Sequence, residues 1–316
     1  MVATAPTARP AAPWKALSAL FCVSLIWGGT FVWMKDGMAA AEHGLGPEST
    51  TAALGYFLAL RFGLAAILVA VVSPGARRGL TRDAWTGGLW LGSLLFAGFA
   101  LQMVGLGEVS PAVSAFLTSL YVVFTAAIST WLERRRPRAG LVVGAVLATV
   151  GAGLIRGRPE LSFSWSEWLT IASAFLFGVH ILATDRVTRR VEAMPVTFTS
   201  FVVVAVASLG LLAWAATSDD FPESRRFVDV LATRAFWMPL VLTTVLATVV
   251  ALTFMNVFQK QVDPVRAAIL YALEPIWASI FGIATGHDTW TVWLWVGGLT
   301  LLAGNLIAEL WKPRSS

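Results

Sequence analysis

The chain has 316 residues, 57% of them hydrophobic and 13% charged, with a formal net charge of +5 and a mean hydropathy of +0.73. Soluble domains carry about 25% charged residues, so this chain lacks the charge to solvate a globular surface, and its apolar content excludes disorder. The single cysteine, Cys22, excludes a disulfide scaffold and cysteine-built zinc sites, and basic clusters confined between long apolar runs exclude nucleic acid as a partner.

What remains is a polytopic membrane protein. Residues 1–14 are Ala/Pro/Thr-rich and are expected to form a disordered cytoplasmic tail. A bilayer core about 30 Å thick needs roughly 20 apolar residues per helix. Such stretches follow at 15–36, 52–73, 85–106, 111–132, 138–155, 166–185, 196–216, 236–257, 264–285 and 290–311, which predicts ten spans. The first runs past twenty residues without a small-residue cleavage site and reads as an uncleaved span. The runs are continuous and lack alternation, so they are helices and not barrel strands. They are separated by turn-forming or charged segments: Pro74-Gly75, Glu133 to Arg138, Arg186 to Glu192, and Ser218-Asp219-Asp220.

Lys and Arg set the orientation. With the N-terminus inside, sixteen fall in inside loops: Arg9, Lys15, Arg77, Arg78, Arg82, Arg134, Arg135, Arg136, Arg138, Arg186, Arg189, Arg190, Lys260, Arg266, Lys312 and Arg314. Five fall outside: Arg156, Arg158, Arg225, Arg226 and Arg234. Both termini are therefore predicted cytoplasmic, in a multi-pass plasma (inner) membrane protein.

The chain also repeats itself. At an offset of 153, Pro111 falls on Pro264, Ala115 on Ala268, Leu120 on Leu273, Gly144 on Gly297 and Gly151 on Gly304. At 150, Gly28 falls on Gly178 and Lys35 on Asp185. Five spans per unit force the two units into opposite membrane orientations, the plan of many secondary transporters, whose substrate sites lie between the halves near the midplane. The predicted fold is thus an all-α integral membrane protein of ten transmembrane helices in two inverted-topology five-helix repeats. The first covers 15–155, an external linker 156–165, the second 166–311, and a cytoplasmic tail 312–316.

Several segments resemble the EamA-like branch of the drug/metabolite transporter superfamily. These are Ser24-Leu-Ile-Trp-Gly-Gly-Thr-Phe-Val-Trp-Met-Lys35, Leu60-Arg61-Phe62, Phe116 through Tyr121 to Leu132-Glu133 and Gly151, and Leu273-Glu274-Pro275 through Gly304. Val122 stands where that family often has proline, and Gly286-His287 where Gly-Glu is usual. The resemblance implies two inverted five-helix units that move small metabolites; it does not name the substrate.

Ionisable groups at membrane depth cost at least about 2.5–3.5 kcal/mol and are functional candidates by default. Glu274 lies about ten residues into the ninth span beside Pro275, which can open the helix locally. It is a candidate proton site or partner for a substrate amine; the bland reading is a structural bond to a neighbouring helix. Arg61 is expected to pair with Glu274, to bind a substrate carboxylate or to hold helices together. The repeat aligns Tyr121 with Glu274 and Phe124 with Trp277. Tyr121, Trp277, Tyr271 and Trp27 are candidates for an aromatic-lined cavity, against simple packing. His180, Gln102 and Asn256 either meet a polar substrate or serve as interhelical bonds. Lys35 and Asp185 are candidate gates or snorkelling side chains.

The chain has no G-x-x-x-x-G-K-[ST], no H-E-x-x-H and no clustered nucleophile, so no enzyme activity, cofactor or ATP-driven pumping is expected. The expected function is secondary transport, and export, of small organic metabolites by alternating access. Zwitterions such as amino acids lead because they would use both Glu274 and Arg61, with aromatic cations as the alternative and proton coupling through Glu274 as a sub-hypothesis. A receptor or assembly subunit without flux is the reading from another class. The partners are a small-molecule substrate, the lipid bilayer and, if coupling holds, a proton; sequence leaves the oligomeric state open.

Overall fold

The computed structural model describes residues 14–46, 48–134, 136, 138–155, 163–219, 221–258, 270–271 and 273–311, with Asp185, Asn256, Val257 and Glu309 described in backbone only. Most of the expected first tail, most of the linker and the last tail lie outside these residues. Among the described residues the chain is helical, without strands. In order the helices are α1 (Trp14–Leu45), α2 (Thr50–Val72), α3 (Pro74–Arg78), α4 (Arg82–Glu108), α5 (Pro111–Thr118), α6 (Tyr121–Leu132) and α7 (Ala139–Leu154). There follow α8 (Trp165–Thr188), α9 (Ala193–Ala215), α10 (Ser224–Ala232), α11 (Arg234–Val241), a π-helical segment (Leu242–Val250), α12 (Ala251–Phe258), α13 (Glu274–Ala284) and α14 (Val292–Leu310).

Local chemistry sets several of these boundaries. Thr81, Ser110, Ser164 and Thr291 each accept a bond from a first-turn backbone N–H, and Pro111 occupies the first position of α5, where its missing donor costs nothing. Ser164 and Glu167 form a reciprocal capping box.

Seven helical stretches among the described residues are long and apolar enough to cross a membrane: Trp14–Leu45, Thr50–Val72, Arg82–Glu108, Pro111–Leu132, Trp165–Thr188, Ala193–Ala215 and Arg234–Met255. Ala139–Leu154 and Val292–Ala308 are apolar but shorter. The expected stretch at 264–285 is described only at Leu270, Tyr271 and from Leu273 onward. The first helix runs to Leu45, well beyond the expected 36. Two of these seven are not continuous α-helices. The fourth breaks at Ser119–Leu120, and the eighth widens into the π-helical segment.

Small residues decide how the helices pack. In α7 and α14, Gly144 faces Gly304 and Gly151 faces Gly297; a Cβ on any of these would lie within 2.4–2.6 Å of the opposing main chain. The pairing runs 144 to 151 against 304 to 297, so the two helices are antiparallel. The same reciprocity joins the broken spans to their neighbours. Gly28 of α1 lies against Trp277 and Ala278 of α13, and Gly178 of α8 against Phe124 and Thr125 of α6. In the numbering offsets of the repeat these are one contact made twice. The larger core gathers Phe57, Phe62, Phe201, Phe236 and Met34 from spans one, two, seven and eight.

Candidate functional site

The site begins with a discontinuity. In the fourth span the backbone tightens, Leu120 N–H bonding Leu117 O at 3.2 Å and Val122 N–H bonding Ser119 O at 3.1 Å, before α6 restarts at Tyr121. In the ninth, Leu273 N–H bonds Leu270 O at 3.2 Å and α13 starts at Glu274, with Pro275 in its first turn. Tyr121 and Glu274, equivalent in the repeat, are therefore both first residues of a second half-helix. Discontinuous helices of this kind build midplane sites in transporters.

Glu274 has no hydrogen-bond or ion-pair partner among the described residues, and its carboxylate lies within range of both the Tyr121 and Tyr271 hydroxyls for their charges to interact. Tyr271 in turn packs on Trp27, ring centroids 5.9 Å apart and planes tilted 33°. Trp27 is oriented by its indole N–H, which donates to Ala247 O at 3.1 Å. That carbonyl is free because Ala251 N–H reaches back to Leu246 O in the widened turn. The structure thus brings together Glu274, Tyr121, Tyr271 and Trp27: one carboxylate with two phenols and an indole, a set suited to an organic cation. Trp277, one turn beyond Glu274, sits against Gly28 and makes an edge contact with Phe21 at 5.5 Å; its indole N–H is buried without a partner among the described residues.

Arg61 does not join this group. It is 3% exposed, its Nε donating to Thr248 Oγ1 at 3.1 Å and an Nη to Met34 Sδ at 3.1 Å. The rings of Phe99 and Phe62 lie 4.6 and 5.2 Å from the guanidinium carbon. Met34 is six residues beyond Gly28 on α1, an axial rise of roughly 9 Å, which separates Arg61 from Glu274; of the three expected roles, the contacts it makes are those between helices. Gln102 is also occupied, its Nε2 donating to Thr118 Oγ1 at 3.0 Å. No bond or ion pair joins half-buried His180 to Glu274 or Tyr121. The Asn256 and Asp185 side chains lie outside the described ones.

Polar groups tie one end of the bundle. Lys35 Nζ donates to the carbonyls of Leu106, Gly107 and Val109 at 2.8, 3.2 and 2.8 Å, closing the C-terminus of α4, where a cation is favoured. Asp288, between α13 and α14, accepts from Ala112 N–H at 3.1 Å and so caps α5 from a distance. Burial raises its carboxyl above the usual range, against bonds from Ser110 and Ala112 and the charges of His287 and Lys35. His287 Nε2 lies 2.8 Å from Asp36 Oδ1.

Sequence reasoning missed Thr248 and the π-helical segment, although Pro239 and the threonines 243, 244 and 248 mark that span as unusual. It also missed Asn305, whose Nδ2 donates to Ser119 O at 3.0 Å and Ser119 Oγ at 2.8 Å. No motif announced that contact across 186 positions.

Comparison with known proteins agrees with this architecture. The profile of the EamA-like transporter family matches residues 14–157 and again 164–309. An uncharacterized transporter of Archaeoglobus fulgidus is 25% identical over 293 residues, covering 92% of this chain and 84% of its own length. One solved crystal structure superposes with a TM-score of 0.60 at 19% identity, covering 94% of this chain and 97% of its own, a likeness of fold.

Proposed function

The chain belongs to the EamA-like transporter family, a multi-pass membrane transporter, and on that premise we propose that it exchanges protons for small organic amines at Glu274. The observation that carries this reading is a carboxylate at a helix break with no partner among the described residues, near Tyr121 and near a Tyr271 that packs on Trp27. A carboxylate with no counter-charge among the described residues can hold a proton or a substrate cation in turn, and the rings add cation–π attraction. With protons entering down their gradient, exchange drives the amine outward, which makes the protein an exporter.

Ten spans in two inverted five-helix units, rocking by alternating access, fit this chemistry. Antiparallel α7 and α14, with their reciprocal glycines, support the inversion. The bias of Lys and Arg supports cytoplasmic termini in a plasma membrane. A zwitterion is the second reading, favoured by one observation: Arg61 has no carboxylate partner among the described residues.

The test is counterflow in proteoliposomes under an imposed pH gradient, with phenethylamine, phenylalanine and phenylpropionate as a matched set. Phenethylamine flux that follows the gradient is expected. Preference for phenylalanine would turn the reading to zwitterions, pH-independent flux would discard coupling, and no flux of any amine from folded protein would favour a receptor or assembly subunit.

A further inference from the structure

We infer that Asn305, with Gln102, is a positioning residue that holds Tyr121 in the site by bracing the break in the fourth span. This rests on the reading of Tyr121 as a site residue. The two residues preceding the break that carry hydroxyls are both held. Gln102 of α4 donates to Thr118 Oγ1 at 3.0 Å. Asn305 of α14 donates to both oxygens of Ser119, whose hydroxyl donates onward to Phe116 O at 2.6 Å. All four side chains are buried, Asn305 to 1% exposure. Ser119 O is the carbonyl that also accepts from Val122 N–H at 3.1 Å, so the brace acts on the turn two residues before Tyr121, where α6 takes its direction. A carboxamide bond in a dry interior is costly to lose, because the freed groups find no water.

The repeat shows that the brace is not a general requirement of the fold. The positions equivalent to Asn305 and Ser119 in the other half are Ala152 and Ala272, which carry no polar side-chain atom. The repeat therefore puts alanines where the fourth span has its Asn305–Ser119 clasp. The Tyr121 side is held by carboxamides from two spans, and the Asn305–Ser119 half of that brace has no counterpart in the sequence of the Glu274 side.

The experiment uses the full chain in lipid nanodiscs and proteoliposomes. In Asn305→Ala, amide hydrogen exchange at Val122–Phe124 is expected to accelerate about tenfold, the equivalent of one lost interior hydrogen bond, while amides of Trp277–Ile280 keep their rates. Ser119→Ala, which leaves no large cavity, should move the same amides in the same direction by less. KM for phenethylamine should rise in Asn305→Ala, with no further rise when it is added to Tyr121→Phe. Unchanged exchange at Val122–Phe124, equal acceleration in both half-helices, or KM effects that add in the double variant would each overturn the inference. The exchange measurement stands without flux, so a failure of the transport reading is seen separately, in wild-type protein that moves no amine.

Discussion

Tyr121 and Glu274 each begin the second half of a broken span, so one half-helix offers a phenol where its counterpart offers a carboxylate. Of that pair only Glu274 readily carries a negative charge, since an unperturbed phenol ionises only at about pH 10. Glu274→Gln keeps the shape and removes the charge. It should abolish pH-driven phenethylamine flux, a fall of at least about tenfold expected for a lost charge-assisted contact, while Glu274→Asp retains part of it. The check is flux at matched protein density with and without the gradient, and undiminished coupling in the glutamine variant would remove Glu274 from the mechanism.

Arg61 is buried between Met34, Thr248 and two phenylalanine rings, with no carboxylate among the described residues to offset its desolvation. Arg61→Met fills similar volume without the charge, and such exchanges of buried ions are often neutral or stabilising. Its melting temperature should equal or exceed that of the wild type, and KM for phenethylamine should not change. A loss confined to phenylalanine would instead assign the guanidinium to a substrate carboxylate.

The seam between α7 and α14 has main chain against main chain at Gly144 and Gly304. Gly144→Val drives a branched side chain into that backbone and should cost about 1–3 kcal/mol of stability, the usual range for overpacking. Gly210, with nothing within 4 Å of its Cβ position, is the control: Gly210→Ala should leave the melting temperature unchanged or raise it slightly.

Asp288 caps α5 with a carboxyl that burial raises above the usual range. A carboxyl raised on folding contributes most below its unfolded value, 3.8, and that contribution is lost as pH climbs through the raised folded value. Asp288→Asn keeps an acceptor for Ala112 N–H and does not ionise. The variant should therefore gain on the wild type as pH rises from acid to neutral, read as the difference in melting temperature at each pH. Asp288→Ala loses the cap and should cost about 1 kcal/mol at acid pH, and less as pH rises.

Spans and repeat were legible because bilayer burial leaves a dense hydrophobic record, and the equivalence of Tyr121 with Glu274 followed from counting alone. The break at Glu274 had a local sign in Pro275, but the one at Ser119–Leu120 carries neither proline nor glycine and is held by Asn305 from another span. Arg61 shows the same limit. Its depth was readable, but its partners Thr248 and Phe99 come from distant spans, and the π-helical turn that presents Thr248 has no short-range code. Lys35 was expected to snorkel or gate; three carbonyls at the end of α4 give it a capping task that only the tertiary fold reveals.

The glycines of α7 and α14 recur seven residues apart on each helix, two turns or roughly 10 Å of rise. Shorter slides of one helix along the other bring a side chain into a notch that admits none. The pair is built like a keyed joint, in which the teeth are missing side chains and the main chains themselves are the mating faces.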